Sequence, residues 1–326
     1  MLDTAASPAD SAPGATWTRK DLLDTDTLTR AEIDLVLETA RGMREVRSRP
    51  VSKVSTLRGV TVATLFYEQS TRTRASFEVA AKALGADVVN LTASGSSVEK
   101  GETLIDTVRT LEAIGADIIV MRHSRSGAPY LAARHTAASI VNGGDGTHAH
   151  PTQALLDLYT MVERLGSLEG RKVVIVGDVL HSRVARSNAW TLLRYGADVV
   201  FCGPATLLPR SFVPSVDGRA CSISTDLDSA IEGADVVMAL RMQKERQQRG
   251  LIPSIREYIA NYQINAARLA RARQGALLMH PGPMNEGIEV SPDVAHGAQS
   301  LVEEQVANGV AVRMALLYLI AARSRT

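Results

Sequence analysis

Apolar positions along the chain follow two patterns. Some recur at a helical spacing of three and four: Ile33, Val36, Leu37 and Ala40 behind Thr29, and Leu155, Leu158, Val162 and Leu165 behind Pro151. Others form short continuous runs rich in β-branched residues, at 60–66, 139–142, 172–176 and 276–279, as expected of strands buried on both faces. One motif joins the two patterns. Gly-Ala-Asp followed by two β-branched residues begins at Gly85, Gly115, Gly196 and Gly233, each time after a helical stretch. Glycine takes the left-handed conformation that closes a helix, and the β-branched pair opens a strand. Repetition of this unit predicts βα alternation, and so an α/β fold with mostly parallel sheets flanked by helices.

Within each pair the motifs lie 30 and 37 residues apart, with 81 residues between the pairs, which predicts two doubly wound lobes. The expected division is a disordered tail over 1–16, a first lobe of 17–150 plus 300–326, and a second lobe of 151–299. Thr29 and Glu32 have the spacing of a capping box. Pro151 suits the first turn of a helix that stops at Gly166 and connects the lobes. A last helix is expected from Leu301, opened by a second capping box of Ser300 and Glu303, with enough apolar residues to require burial against the first lobe. The polar stretch 242–262 reads as a mobile loop.

Composition narrows the class. The chain has 326 residues and 45% apolar content, ordinary for a core-forming protein of two domains. With 36 basic against 35 acidic side chains it lacks the surplus that general nucleic-acid binding needs, and sparse aromatics offer no stacking platform. Arg nevertheless outnumbers Lys by 30 to 6. Two cysteines, Cys202 and Cys221, support neither a disulfide framework nor a Cys-rich zinc site. The N-terminal stretch has no signal-peptide pattern, and the longest unbroken apolar run is the nine residues 314–322, too short to span a bilayer. A soluble, cytoplasmic protein with reduced thiols is expected.

The strongest chemical signal is Phe66-Tyr-Glu-Gln-Ser-Thr-Arg-Thr-Arg74, where a strand ends, two hydroxyl–Arg pairs follow and a helix begins. Helix N-termini attract anions, and Ser70, Thr71, Arg72 and Thr73 add further donors there. Charge-assisted hydrogen bonds contribute about 1.5–3 kcal/mol each, enough for several to hold a dianion.

Ser70-Thr-Arg-Thr-Arg74 followed by Ser-Phe-Glu resembles the phosphate loop of the carbamoyltransferases. Further motifs of that family follow in order: Gly95-Ser-Ser-Val-Glu-Lys-Gly-Glu102, Met121-Arg-His123, His150-Pro-Thr-Gln153, Gly177-Asp178 through Arg183, Arg241-Met-Gln-Lys-Glu-Arg246 and His280-Pro-Gly-Pro283. The resemblance covers about residues 20 to 322. Arg241-x-Gln243-Lys-Glu-Arg246 is similar to the loop of the aspartate-specific branch, and the ornithine-specific motifs are absent. The residues agree: an amino dicarboxylate needs cations at two ends, whereas ornithine needs an acidic pocket.

The resemblance implies transfer of the carbamoyl group of carbamoyl phosphate to the amino group of L-aspartate, an early step of pyrimidine synthesis, with no metal or organic cofactor. By the same resemblance the first lobe binds carbamoyl phosphate and the second binds aspartate. Ser70, Thr71, Arg72 and Thr73 hold the phosphate; Arg122, His150 and Thr73 polarise the carbonyl; Gln153 and the carbonyls of Pro281 and Gly282 fix the NH2 group. Arg183, Arg241 and Gln243 hold the aspartate carboxylates. Ser96, binding carbamoyl phosphate, and Lys100, binding both substrates and acting in catalysis, reach into a neighbour's site, which makes the active unit a homotrimer; a solvated loop residue is the weaker reading of Lys100 and a somewhat stronger one of Ser96. Glu68 resembles the acid that pairs with Arg183 and Arg246 across the cleft to close the lobes. Gly282 stands where many relatives have Leu. A regulatory chain, a dihydroorotase partner or a free trimer are all compatible with the sequence.

Three other readings remain. His148 and His150, with His280 or Asp145, can be drawn as a metallohydrolase site, although two histidines at i, i+2 make a weak ligand set. Val173-Val-Ile-Val-Gly-Asp178 invites a dinucleotide fold but lacks the further glycines that pyrophosphate requires. A catalytically silent scaffold would have lost site residues, and every mapped cationic position is filled.

Overall fold

The computed structural model describes residues 16–92, 102–209, 212–242 and 251–323. Ser96, Lys100, Gln243, Arg246 and nearly all of the tail expected over 1–16 lie outside these ranges.

The first lobe runs α1 (Arg30–Ser48), β1 (Thr61–Phe66), α2 (Thr71–Ala83), β2 (Asp87–Thr92), α3 (Leu104–Ala113), β3 (Ile118–His123), α4 (Ala128–Ala133) and β4 (Ser139–Asp145). Its four strands are all parallel, in the order β2-β1-β3-β4. Helix α5 (Pro151–Leu165) leads into the second lobe, which contains β5 (Lys172–Val176), α6 (Arg183–Arg194), β6 (Asp198–Cys202), β7 (Ser215–Val216), β8 (Arg219–Ala220), β9 (Ser222–Ser224), α7 (Leu227–Ile231), β10 (Val236–Ala239), α8 (Ile255–Tyr262), α9 (Ala266–Leu269), β11 (Leu277–Met279) and α10 (Pro292–Ala295). Five of these strands form a second parallel sheet, ordered β11-β10-β5-β6-β9, and β7 and β8 form a small antiparallel hairpin. The final helix, α11 (Val302–Arg323), packs back on α1, α2 and α5.

The Gly-Ala-Asp motifs do what their chemistry dictates. Gly85, Gly115, Gly196 and Gly233 have φ of 80°, 95°, 77° and 67°. After α2, α3 and α6 the two N–H groups following the cap turn back in a Schellman closure: Gly85 to Lys82 and Ala86 to Ala81, with Gly115, Ala116, Gly196 and Ala197 repeating the pattern. The Asp N–H then joins the sheet, as Asp87 donates to Val60, Asp117 to Thr61, Asp198 to Arg171 and Asp235 to Lys172. One motif therefore ends a helix and sets the register of the next strand.

Thr29 and Glu32 form the expected capping box. The second one does not form. Helix α11 starts at Val302, so its cap position is Leu301, whose N–H instead donates to Leu278 and ties the helix to β11. Part of the stretch read as a loop over 242–262 is helical: Ser254 caps α8 by accepting from the N–H of Glu257, and Tyr258 is buried in it. Helix α11 is long and apolar enough to cross a membrane by length and composition, yet most of it is buried inside the protein.

The closures differ in crowding, which gives a test. A Cβ at Gly85 would lie 3.1 Å from the Val54 carbonyl oxygen, whereas Gly115 has open space around it. Both substitutions to Ala incur left-handed strain of about 1–2 kcal/mol. Urea unfolding is expected to show Gly85→Ala as the more destabilised variant, because only there must the backbone shift as well.

Candidate active site

Parallel α/β sheets offer a crevice where the strand order reverses, at the carboxyl ends of the two strands flanking the switch. In the first lobe that point lies between β1 and β3, and in the second between β5 and β10. Both crevices open into one cavity of about 820 Å³ between the lobes.

The segment after β1 supplies Glu68 through Thr73. Ser70 caps α2 by accepting from the N–H of Thr73 at 3.4 Å, so the first turn of α2 faces the cavity with Thr71, Arg72 and Thr73 upon it. From the end of β3 comes Arg122, whose guanidinium donates to the Gly143 carbonyl at 3.3 Å and pairs with Glu68 at 3.2 Å. The register of β3 and β4 slips at Gly143 and Gly144, and the close approach this allows matters: a Cβ on Gly144 would lie 2.9 Å from the Arg183 guanidinium. Arg183 opens α6 and is buried; it donates to the Gly146 carbonyl at 3.1 Å and to Glu68 at 2.8 Å. Glu68 thus bridges one cation of each lobe.

Asp145 organises the loop that follows β4. It accepts from the N–H groups of Gly127 and Ala149 and the amide of Asn142, and it engages His148, whose other ring nitrogen faces Asp24 at 3.3 Å. Burial alone would raise the Asp145 pKa, but these hydrogen bonds outweigh it and hold the carboxyl below its usual range. That anchors the turn into α5, where His150 and Gln153 line the cavity. His148 is therefore occupied away from His150, and among the described residues no three His, Cys, Asp or Glu side chains gather as a metal site would require.

The far wall comes from β10 and β11. Arg241 follows β10, and His280, Pro281 and Gly282 follow β11. Gly282 has φ of 66°, and a Cβ there would lie 3.1–3.3 Å from the Arg72 guanidinium. Glycine in place of Leu thus relieves a backbone conformation that suits few other residues and leaves room for Arg72.

Every described residue nominated by the carbamoyltransferase resemblance lines this one cavity: Glu68, Ser70, Thr71, Arg72, Thr73, Arg122, His150, Gln153, Arg183, Arg241, Pro281 and Gly282; of the candidate metal ligands, His148 and Asp145 do not. Sequence reasoning missed Gln305 and Arg313 of α11, which also line it. Their signal was available: a buried apolar helix that retains an Arg and a Gln needs a polar partner for each. It also missed that Glu68 pairs with Arg122.

The cations leave their mark on neighbouring groups. Burial and then the charge of Arg241 lower the pKa of Arg72. Burial, followed by Arg72 and Arg241, pushes His280 down to about 3. Burial, then Arg122, Arg183 and Arg313, drives His150 well below the usual imidazole value. Both imidazoles are neutral at pH 7.

Models for the "Aspartate/ornithine carbamoyltransferase, carbamoyl-P binding domain" and the "Aspartate/ornithine carbamoyltransferase, Asp/Orn binding domain" match residues 20–163 and 169–320. The chain belongs to this family. It is 61% identical over 301 residues to the aspartate carbamoyltransferase catalytic subunit of Roseiflexus sp. (strain RS-1), covering 92% of this chain and 94% of that one. Against the corresponding subunit of Dehalococcoides mccartyi (strain CBDB1) the identity is 55%, over 93% of this chain and 92% of the relative. Among solved structures, aspartate transcarbamoylase from Trypanosoma cruzi in complex with N-(phosphonacetyl)-L-aspartic acid superposes with a TM-score of 0.83 at 32% identity, covering 94% and 97% of the two chains. Ornithine carbamoyltransferase from Pyrococcus furiosus also gives a TM-score of 0.83, at 30% identity over 94% and 98%. Fold alone does not separate the two branches of the family.

The neutral histidines predict an acid weakness. Unfolding restores an imidazole pKa near 6.5, so below that pH the unfolded chain binds protons the native state refuses, and stability falls with pH. Each imidazole contributes a slope of about 1 kcal/mol per pH unit. Denaturant melts at pH 7.5, 6 and 5 are expected to show this loss, with one imidazole's share missing in His280→Gln.

Proposed function

We propose that the chain is an aspartate carbamoyltransferase: the α-amino group of L-aspartate attacks the carbonyl carbon of carbamoyl phosphate, giving N-carbamoyl-L-aspartate and phosphate, an early step of de novo pyrimidine synthesis. The observation that carries this reading is the meeting of two cationic switch points in one cleft. An anion-binding helix start with Arg72 lies on one side, and Arg183 and Arg241 lie on the other. The identity to aspartate-specific relatives supports aspartate over ornithine.

In this mechanism the α2 N-terminus, with Ser70, Thr71, Arg72 and Thr73, holds the phosphate by backbone N–H groups, hydroxyls and charge. Arg122, His150 and Thr73 direct positive potential at the carbonyl oxygen, where negative charge builds as the tetrahedral intermediate forms. A neutral His150 donates one N–H without adding a charge to an already cationic cleft. Gln153 and the Pro281 and Gly282 carbonyls accept from the carbamoyl NH2 group. Arg183 and Arg241, with Gln243, receive the two aspartate carboxylates. The C–N bond forms, the C–O bond to phosphate breaks with its electron pair, and the amine proton leaves on the departing phosphate. Positioning and fixed charge supply the acceleration.

The remaining assignments complete the reading. Ser96 and Lys100 come from a neighbouring subunit of a homotrimer. Glu68 and Arg246 act in lobe closure, and the Glu68–Arg183 bond between lobes supports that role. The carbamoyl-phosphate lobe comprises 17–150 with 300–326, and the aspartate lobe 151–299.

A colorimetric assay for the ureido product is expected to respond to carbamoyl phosphate with L-aspartate and not with ornithine; no product with aspartate overturns the reading. Arg72→Ala should lower kcat/KM by about 10²–10³-fold, the range typical for loss of one preorganised charge donor. Arg183→Ala should act mainly on the KM for aspartate.

A further inference from the structure

Beneath the cleft floor lies a buried polar cluster whose central carboxylate has no role in the proposed mechanism. Its centre is Asp157, one helical turn below Gln153 on α5 and 0% exposed. Its carboxylate accepts from three side-chain amides on three helices. Oδ1 accepts from Gln153 Nε2 at 2.9 Å and from Gln305 Nε2 of α11 at 2.8 Å, and Oδ2 accepts from Asn188 Nδ2 of α6 at 2.9 Å. Gln305 in turn accepts the backbone N–H of His280 on its Oε1 at 3.0 Å.

We propose that Asp157 is a positioning residue that aims two carbonyl acceptors at the carbamoyl NH2 group. It turns the Gln153 amide so that Oε1 faces the cleft, and through Gln305 it pins the His280 backbone from which the Pro281 and Gly282 carbonyls extend. This rests on the reading of the cleft as a carbamoyl phosphate site.

An amide is nearly symmetric in shape and presents NH2 at one end and C=O at the other. Nothing in Gln153 itself decides which end enters the cleft. An ionised carboxylate has no donor, so an amide against it must turn its NH2 inward and its oxygen outward. Asp157 imposes this on Gln153 and Gln305 together, and the Gln305 oxygen, so directed, meets the His280 N–H. Burial raises the Asp157 pKa to about 6, against the amide hydrogen bonds and the charge of Arg313, so the carboxylate form prevails at neutral pH. A protonated or amidated side chain would carry a donor, and one of the flanking amides could then reverse.

The alternative is that Asp157 only fastens α5, α6 and α11 together. A ligand pair separates the two, because carbamoyl phosphate has the NH2 group and inorganic phosphate lacks it. Wild-type turnover with aspartate is measured first; its absence would remove the proposed function and this inference with it. Given active wild type, Asp157→Asn should weaken carbamoyl phosphate binding by about 10–100-fold, the span expected when a buried hydrogen-bonded group is mispaired. Inhibition by inorganic phosphate should stay within about 3-fold of wild type, since that ligand makes none of the affected hydrogen bonds. Equal weakening of both ligands, or of neither, overturns the inference. Should Asp157→Asn fail to fold, Gln305→Met decides. It removes the link to His280 and is expected to show the same selectivity for carbamoyl phosphate over phosphate, while a uniform loss or no loss counts against the proposal.

Discussion

Mutual repulsion among guanidinium groups gathered on one cavity, two of them buried, is the constraint around which this molecule is built. Arg72, Arg122, Arg183, Arg241 and Arg313 all face one cavity, and each resists the removal of its charge from water. The fold offsets this with fixed partners. Glu68 bridges Arg122 and Arg183, and the Gly143 and Gly146 carbonyls accept from the same two side chains. Ser76 accepts from Arg313 at 2.7 Å. The wall these partners hold in place carries five guanidinium groups, a lining suited to an anion.

Topology determines why the cations meet. A parallel sheet presents all its carboxyl-terminal strand ends on one edge, and a reversal of strand order opens a gap there. With two such sheets, the residues after β1 and β3 share one cavity with those after β5 and β10. Two helices then tie the halves. Helix α5, capped in the cavity wall by His150, packs against β4 of the first lobe and α6 of the second, while α11 returns from β11 to cover α1, α2 and α5. The apolar character of α11 follows from this central position and calls for no membrane.

Much of this was legible in the sequence, for identifiable reasons. The Gly-Ala-Asp motif encodes a helix end, a strand start and a register contact within three residues, so it reported the parallel lobes directly. The residues at the start of α2 stood out because hydroxyls and cations occupy consecutive positions there, and they do line the cavity. Residues whose role depends on distant partners were not. Ser300 and Glu303 have capping-box spacing, but the helix starts one residue later than that box requires, where Leu301 bonds to β11. Ser254 and Glu257 have the same spacing inside a polar stretch and do begin a helix, because Tyr258 finds a core there. The Asp217-Gly218 pair, both at positive φ, closes the β7–β8 hairpin and was overlooked beside stronger signals. Asp157, Gln305 and Arg313 stayed hidden because helical periodicity records only where apolar residues recur. A polar residue on the buried face reads as an interruption until its partners on other helices are known.

The two imidazoles bring these points together. His150 and His280 sit at the points where α5 and the strand β11 reach the cavity, each close to guanidinium groups and each buried. A protonated imidazole in either place would add a cation to a group already short of anions, and no described carboxylate stands beside them to balance it. Both are therefore held neutral, which confines them to directional hydrogen bonding rather than proton transfer near pH 7. His280 accepts the Gly282 N–H on Nδ1 at 2.8 Å and so shapes the turn beside Arg72. His150 keeps Nδ1 without a partner among the described residues, and its backbone N–H is held by Ser187 at 2.9 Å. In a cleft this cationic, burial and the neighbouring arginines both oppose protonation, and together they make each histidine a neutral hydrogen-bonding group.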